Sequence, residues 1–250
     1  TTGISNSPDS PAELTIALIL ASRRHIALEA ENMKRGDWPS TLSHRLRGST
    51  LGIYGLGAIG KLVAAAGQGL GMNVLVWGRD GSLERARAAG YAAAANKAEL
   101  FETSDVLSLH VRLSPETRGI VGPADLAAMK STALIVNTSR AELIQPGALV
   151  DALQAGRPGY AAVDVYEDEP VEDGDHPLLK LPNALCGTIS SYIFPRRSNK
   201  SLPTKRGMNC AWPIPKCWTS NSVGAGYSAG TVSRAICSVI RWLATPRRSS

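Results

Sequence analysis

Residues 50–80 read TLGIYGLGAIGKLVAAAGQGLGMNVLVWGRD, and this stretch decides the fold. A short apolar run at 51–54 leads into a glycine-rich turn. A helical pattern follows, which Gly71 ends, and residues 74–77 form a second apolar run. Two short apolar runs joined by one helix predict a strand–turn–helix–strand unit.

The turn holds three glycines in the pattern G-x-G-x-x-G, which binds dinucleotides when it lies between a strand and a helix. Gly55 permits the tight turn, Gly57 lets a pyrophosphate approach the backbone, and Gly60 lets the helix pack closely on the strand. The N–H groups at the helix start and its positive dipole end would face the phosphates. The predicted cofactor contacts of this turn are Gly55, Gly57, Ala58, Ile59 and Gly60.

The alternation of short apolar strands with helices continues to residue 186. It predicts an α/β fold of the Rossmann type, a doubly wound parallel sheet covered on both faces. Ligands in such folds bind at the carboxyl ends of the strands. Val111, Thr138 and Ser139 follow predicted strands and are therefore further candidates for cofactor contact. The remaining predicted strands are 105–110, 133–137, 160–165 and 185–186, and the remaining predicted helices are 82–89, 97–102, 123–129 and 146–154.

One long helix is predicted ahead of this region, from Ser10 to a stop at Gly36. Ser10 suits the N-cap, Pro11 suits the first helical position, and Glu13 completes a capping box. Its wide apolar face must pack on something substantial. The sequence thus predicts three parts: a leading segment with the long helix (1–43), a dinucleotide-binding domain (44–186) and a tail (187–250).

The charge is distributed unevenly along the chain. Residues 187–250 carry 10 Lys and Arg and no acid, whereas residues 1–186 carry 17 basic and 21 acidic residues. A basic tail is one type of nucleic-acid arm, but this tail lacks a recognisable motif, so we rank nucleic acid last among the partners. Because the tail also lacks regular periodicity, we expect it to be irregular, either disordered or encoded in a shifted reading frame.

Several classes of protein are disfavoured by the sequence. The most apolar stretch, 12–21, contains Glu13 and ends before two arginines, so we expect no membrane span. No signal-peptide pattern is present, which predicts a soluble, cytoplasmic protein. The four cysteines lack C-x-x-C spacing, so we expect reduced thiols and no metal site. The chain begins with Thr1, and we expect it to be a fragment.

Further segments resemble the D-isomer-specific 2-hydroxyacid dehydrogenases over about residues 8–186. The similarity is nearest to glyoxylate/hydroxypyruvate reductases and phosphoglycerate-dehydrogenase-like members. It implies hydride transfer between NAD or NADP and a small 2-hydroxy or 2-keto acid such as glyoxylate, in a homodimer that the long helix helps to form. The matching segments, besides the glycine turn, are PAELTIALILA (11–21), DVLSLHVRLSPETRGIVG (105–122), LIVNTSRAELI (134–144), AAVDVYEDEP (161–170) and HPLLKLPNAL (176–185).

The resemblance also implies roles for three site residues. Arg140 corresponds to the arginine that binds the substrate carboxylate, for which a planar guanidinium is suited; the alternative is a strand-end cap. Glu169 corresponds to the acid that hydrogen-bonds the catalytic histidine and lets it take up a proton near neutral pH. Asp164 corresponds to a contact on the nicotinamide side of the cofactor, and a strand-end cap is again the alternative.

We expect the residues at the end of the second strand to decide between NAD and NADP, because NAD-dependent members of the family place an acid there. This chain has Gly78 there, followed by Arg79. A missing acid and a following arginine favour the 2′-phosphate of NADP. Asp80 lies two positions on and could still turn inward, so NAD and NADP both remain open.

The family's general-acid histidine has no counterpart in residues 186–192, which read CGTISSY. Of the four histidines, His25 and His44 are expected at the surface, His110 matches no acid role, and His176 suits a helix start. Without that acid, rate would fall by roughly 10²–10⁴-fold. The family's substrate domain, which precedes the long helix, has no match here either. Two hypotheses remain: a dehydrogenase fragment, or a catalytically silent nucleotide-binding module that acts by association.

Overall fold

The structure is a computed structural model that describes residues 7–171 and 174–187. Helices and strands alternate along almost all of this range, as the sequence predicts. The helices are α1 (Asp9–Arg23), α2 (Ile26–Arg35), α3 (Ala58–Gly69), α4 (Asp80–Ala88), α5 (Lys97–Thr103), α6 (Pro123–Ala128) and α7 (Ala148–Gln154). The strands are β1 (Thr50–Tyr54), β2 (Asn73–Trp77), β3 (Ala92–Ala93), β4 (Val106–Leu109), β5 (Leu134–Asn137), β6 (Tyr160–Val163) and β7 (Ala184–Cys186).

The strands form one parallel sheet in the order β3-β2-β1-β4-β5-β6-β7. The first six follow the doubly wound order, in which the direction of winding reverses between β1 and β4. Tyr54 pairs with Trp77 on one side and with Leu109 on the other, so β1, β2 and β4 end at the same level. The predicted Rossmann-type fold is confirmed, and the glycine turn lies at the reversal point.

Both faces of the sheet are buried, as a parallel sheet requires. On one face α1, α3 and α4 pack over Leu51, Ile53 and Val76. On the other, α5, α6 and α7 cover Leu107 and Ile135. Alternate residues of each strand therefore enter different cores, which fixes the strand register and with it the position of every loop at the carboxyl edge.

The leading segment differs from the prediction, since two helices replace one. α1 ends at Arg23, whose guanidinium is buried and donates from Nη1 to the carbonyl of Thr132 at 2.7 Å. His25 then takes the left-handed conformation (φ 51°), and α2 begins in a new direction. The capping prediction was also wrong, because α1 starts at Asp9, one residue before Ser10. The Gly36 stop is confirmed (φ 81°).

Residues 26–43, called the arm below, leave and rejoin the body at one place. The rings of His25 and His44 both contact Tyr160, with centroids 5.6 and 5.7 Å away, and lie 6.1 Å from each other. The N–H of His44 donates to the carbonyl of Arg23 at 2.9 Å. Both histidines are half-buried rather than free at the surface, and burial next to Arg23 lowers the pKa of His44.

Two further predictions can be compared with the described part of the chain, whereas those about the tail cannot. No helix within residues 7–171 and 174–187 is both long and apolar enough to cross a membrane. In the same residues no group of three or more His, Cys, Asp or Glu is arranged to hold a metal ion. The tail was predicted at 187–250, and all of it except Gly187 lies outside the described range.

Candidate cofactor-binding site

The glycine turn after β1 has a geometry that two of its glycines make possible. Gly55 has φ +95°, and a Cβ there would lie 2.8 Å from the carbonyl oxygen of His110. Its N–H donates to the carbonyl of Trp77 at 2.8 Å, which joins the turn to the end of β2. At Gly60 a Cβ would collide with the carbonyl oxygen of Gly55. The close approach of the turn to His110 therefore depends on glycine at position 55, and the close approach of α3 to the turn depends on glycine at position 60.

Gly57 plays a different part, because it faces open space. It is the N-cap of α3, in an extended conformation, and a Cβ there would meet nothing within 4 Å. The N–H groups of the first helical turn, at Ala58, Ile59 and Gly60, have no helical carbonyl to pair with. Together with the helix dipole they form a site suited to an anion such as a pyrophosphate.

A cleft of about 950 Å³ opens in front of this turn, at the ends of β1, β2 and β4. Its size suits a nucleotide. Among the described residues that line it, the charged side chains are three arginines and one carboxylate, which favours anions. Of the residues singled out from the sequence, Gly55, Gly57, Gly78, Arg79 and Val111 line it; its other lining residues include Trp77, Ser82, Arg85, His110, Arg112, Leu113, Glu116 and Ile120.

The end of β2 carries Gly78 and the exposed Arg79, both on the cleft. Asp80 begins α4, is exposed and is not among the residues that line the cleft. Glu116 is the carboxylate on the opposite wall; a hydrogen bond from Ser114 and the charge of Arg79 lower its pKa. The end of β2 therefore presents an arginine to the cleft, while the carboxylate of Asp80 is not among the lining residues.

Sequence reasoning missed two residues of α4 that hold the glycine turn. Leu56, at the middle of the turn, donates its N–H to Ser82 Oγ at 3.3 Å. Arg85 Nε donates to the carbonyl of Leu56 at 2.8 Å, and Arg85 Nη2 donates to Ser82 Oγ at 3.3 Å. No local pattern marked them, because a serine and an arginine three positions apart are ordinary on a helix and their contact with Leu56 depends on how α4 packs.

His110 follows β4 and lines the cleft. Its Nε2 lies 2.9 Å from Ser108 Oγ, whereas its Nδ1 is buried and has no hydrogen-bond partner among the described residues. Burial lowers the pKa of His110 to about 4, so the ring is neutral at neutral pH. The sequence assigned His110 no role; the structure places it at the back of the glycine turn.

The turn after β5, which carries Arg140, is held by hydrogen bonds at both ends. The side chain of Asn137 donates to the carbonyl of Arg140 at 2.8 Å and accepts from the N–H of Ser139 at 3.1 Å. Ser139 Oγ donates to the carbonyl of Leu109 at 2.7 Å. Arg140 itself is exposed, with Nη1 on the carbonyl of Ser139 at 2.6 Å. The guanidinium therefore projects from a fixed backbone.

Thr138, in the same turn, is tied to α1. Thr15 Oγ1 donates to the carbonyl of Pro11 at 2.7 Å and lies 2.7 Å from Thr138 Oγ1. Because the hydroxyl hydrogen of Thr15 is directed to Pro11, Thr138 acts as the donor between the two hydroxyls. Both side chains are buried. A cofactor contact by Thr138 would therefore use its main chain.

The residues after β6 lie one strand further along the same edge. Asp164 is fully buried and its N–H donates to the carbonyl of Asn137 at 3.1 Å. Glu169 is exposed and accepts from the N–H of Tyr166 at 3.0 Å. Neither Arg140 nor Glu169 lines the cleft in front of the glycine turn. The structure thus brings Gly55, Gly57, Gly78, Arg79 and Val111 together in one cleft. Ala58, Ile59 and Gly60 lie at the start of α3, and the other candidates, Thr138, Ser139, Arg140, Asp164 and Glu169, lie along the adjoining strand ends.

The last histidine and the single described cysteine lie near Tyr166. His176 caps a short 3-10 helix (Pro177–Lys180), as the sequence predicts, and its Nε2 lies 3.0 Å from a carboxylate oxygen of Glu167. Its ring meets that of Tyr166 edge-on at 5.0 Å. Tyr166 donates its hydroxyl to the carbonyl of Gly187 at 2.6 Å, and burial raises the pKa of both Tyr166 and Cys186.

Comparisons with known proteins agree with this architecture. A D-3-phosphoglycerate dehydrogenase of Methanocaldococcus jannaschii is 39% identical over 205 residues, which are 80% of this chain and 38% of that protein. A glyoxylate reductase of Aeropyrum pernix is 38% identical over 196 residues, which are 73% of this chain and 58% of that protein. The chain therefore spans between about two fifths and three fifths of these relatives.

A solved structure of a similar protein also matches this chain. A phosphoglycerate oxidoreductase of Vibrio cholerae O395 is 49% identical, has a TM-score of 0.73, and is matched over 77% of this chain and 62% of that one. The NAD-binding domain of the D-isomer specific 2-hydroxyacid dehydrogenases matches residues 16–188. The chain belongs to the D-isomer-specific 2-hydroxyacid dehydrogenases, a family of oxidoreductases, and carries their NAD-binding domain.

Proposed function

We propose that this chain is the cofactor-binding part of an NAD(P)-dependent dehydrogenase. The reaction would be hydride transfer between the nicotinamide and a small 2-hydroxy or 2-keto acid, such as glyoxylate or hydroxypyruvate. The observation that carries the proposal is the glycine turn, with Gly57 and the start of α3 open to an anion-favouring cleft. The pyrophosphate would lie at Gly57, the ribose at Gly78 and Arg79, and the nicotinamide towards Ser139 and Asp164.

Two residues would contact the substrate or support catalysis. Arg140 would bind the substrate carboxylate, and its fixed turn supports that role because a held backbone limits where the guanidinium can reach. Glu169 would support a proton donor. The cofactor, when bound, supplies the hydride at C4 of the nicotinamide. Residues 186–192 contain no histidine, so the proton donor of this mechanism has no candidate at the family position.

That missing histidine favours a second candidate function, a nucleotide-binding module that binds the cofactor without turnover. The two functions are separated by titrating the chain with NADPH and NADH, following nicotinamide fluorescence, and then assaying glyoxylate and hydroxypyruvate reduction. Binding with turnover supports the dehydrogenase. Binding without turnover supports the module, and absence of binding contradicts both.

The open end of β2 supports a preference for NADP(H). Arg79→Ala is expected to weaken NADPH binding about 10–100-fold, the worth of a hydrogen bond between charged groups, and to leave NADH binding unchanged. Arg87→Ala is the matched control, because Arg87 is also exposed on α4 but does not line the cleft. Equal weakening of NADPH and NADH in Arg79→Ala would contradict a contact with the 2′-phosphate.

The arm supports association with a second copy of the chain. It exposes several large apolar side chains, and a patch of that kind on an exposed segment is typical of a protein interface. The exposed fractions are 54% for Ile26, 47% for Leu28, 56% for Met33, 83% for Trp38 and 91% for Leu42. We propose a homodimer in which these residues are buried.

The double substitution Trp38→Ser and Leu42→Ser is therefore expected to convert a dimer into a monomer, measured by analytical ultracentrifugation. Leu62→Ser and Leu70→Ser are the matched controls, since both leucines are 37% exposed and lie on or beside α3. A dimer that persists in the arm variant would place the interface elsewhere.

A further inference from the structure

The glycine turn is held in the middle by α4, the helix that follows the ribose end of the cleft. Leu56 separates Gly55 from Gly57, and both of its main-chain polar groups are bonded to α4 side chains: the N–H to Ser82 Oγ and the carbonyl to Arg85 Nε. Arg85 also donates to Ser82 Oγ. Leu56, Ser82 and Arg85 are thus joined to one another by three hydrogen bonds. Arg85 orients both the hydroxyl of Ser82 and the carbonyl of Leu56.

This contact determines the orientation of the Gly57 N–H. A trans peptide places its C=O and its N–H on opposite sides. Since the carbonyl of Leu56 points to Arg85, the N–H of Gly57 in the same peptide points away from Arg85. Because Gly57, on one side of that peptide, has wide conformational freedom, the peptide could otherwise rotate. The bond from Arg85 removes this freedom at the position where the phosphates are proposed to bind.

Arg85 suits this task better than a lysine would. Its planar guanidinium carries several N–H groups at fixed angles, so Nε can donate to Leu56 while Nη2 donates to Ser82. Ser82 is buried and lies against Gly78, where a Cβ would be 3.1 Å from the serine Cβ and Oγ. The same pair thus connects the ribose end of the cleft with its pyrophosphate end.

We propose that Arg85 is a positioning residue for the pyrophosphate: by fixing the Leu56 peptide, it holds the glycine turn in the form that receives the cofactor. Arg85 acts in this way whether or not the cofactor carries a 2′-phosphate. The inference rests on the proposed function, because it assumes that the cleft binds a dinucleotide. Because Arg85 lines the cleft, as Arg79 does, a direct contact of Arg85 with the 2′-phosphate is the alternative role. The experiment below separates the two roles.

The experiment compares fragments of the cofactor. Dissociation constants for ADP, AMP, 2′-AMP and NADPH are measured by NMR titration of the full chain and of Arg85→Met. Binding of ADP and NADPH, which contain a pyrophosphate, is expected to weaken about tenfold. Binding of AMP, which carries one of the two phosphates, is expected to weaken less, and binding of 2′-AMP, which carries neither, is expected to stay unchanged. Arg87→Met on the same helix is the matched control and should bind all four as the unmodified chain does.

A second variant separates positioning from charge. Arg85→Lys keeps the positive charge but has no planar fork, so it should lose ADP affinity nearly as far as Arg85→Met. Full ADP affinity in Arg85→Lys would mean that the cleft needs only the charge, and would overturn the inference. Circular dichroism melting of each variant shows whether the fold is retained.

Three other outcomes would overturn the inference. Loss confined to NADPH and 2′-AMP would make Arg85 a ligand of the 2′-phosphate. Equal loss of all four ligands with a lowered Tm would make its role purely structural, and unchanged binding would leave it without a role. If the unmodified chain binds neither ADP nor NADPH, the proposed function itself fails and the inference fails with it; if only Arg85→Met departs from expectation, the proposed function stands.

Discussion

Replacing Gly60 with alanine is expected to lower the free energy of unfolding by about 1–3 kcal/mol and to abolish NAD(P)H binding. The added Cβ would collide with the carbonyl oxygen of Gly55, which is main chain and cannot move alone. α3 must then shift away from β1, and Gly60 lies in its first turn, next to the proposed phosphate site. Urea unfolding and nicotinamide fluorescence measure the two effects.

Two glycines of the same segment are controls for this prediction. Gly57→Ala meets no atom of the chain within 4 Å, so it should retain full stability and still weaken cofactor binding, because its methyl group enters the proposed phosphate space. Gly69→Ala, also without neighbours within 4 Å, should change neither property adversely. A Gly60→Ala protein that binds NADPH normally would contradict the close-packing argument.

Lowering the pH from 7.5 to 4.5 is expected to cost the chain about 2–3 kcal/mol of stability through His110 alone. Burial lowers the pKa of His110 to about 4, against an ordinary value of 6.5. The unfolded chain therefore binds a proton that the folded chain does not. The contribution of His110 is complete above pH 6.5 and is lost progressively as the pH falls towards 4.

The measurement is urea unfolding at several pH values, for the unmodified chain and for His110→Gln. The variant cannot titrate at this position, so its stability should fall less steeply between pH 6.5 and 4.5. The pKa of His44 is also lowered by burial and acts in the same direction, but it is present in both proteins and cancels in the comparison. If stability falls equally steeply with pH in both proteins, the pKa of His110 is the same in the folded and the unfolded chain, which would contradict the prediction.

Much of the fold could be predicted because each element is consistent locally. The apolar run at 134–137 is buried at every position, and the glycine stops fall where the backbone needs positive φ. The doubly wound parallel sheet was predicted from the alternation of short apolar strands with helices. The turn residues of the site could be predicted for the same reason. Gly55 and Gly60 occupy positions where a Cβ would collide with the main chain, so the sequence must have glycine there.

The rest depends on contacts between distant residues, which no local pattern reveals. The break at His25 closely follows Arg23, which is buried and bonded to Thr132, more than a hundred residues away. The hold of Ser82 and Arg85 on the turn depends on where α4 packs, and neither residue is unusual for a helix surface. Thr138 was a sound candidate by position, yet its hydroxyl is committed to α1.

The arm begins and ends at almost the same point, where His25 and His44 meet at Tyr160. Closing a loop of this kind costs a free energy that grows only slowly with its length. Insertions or deletions within the arm can therefore change how far it reaches from the body while the strand ends and the cleft stay where they are. The distance that the arm extends towards a partner and the geometry of the cleft can therefore vary independently in evolution.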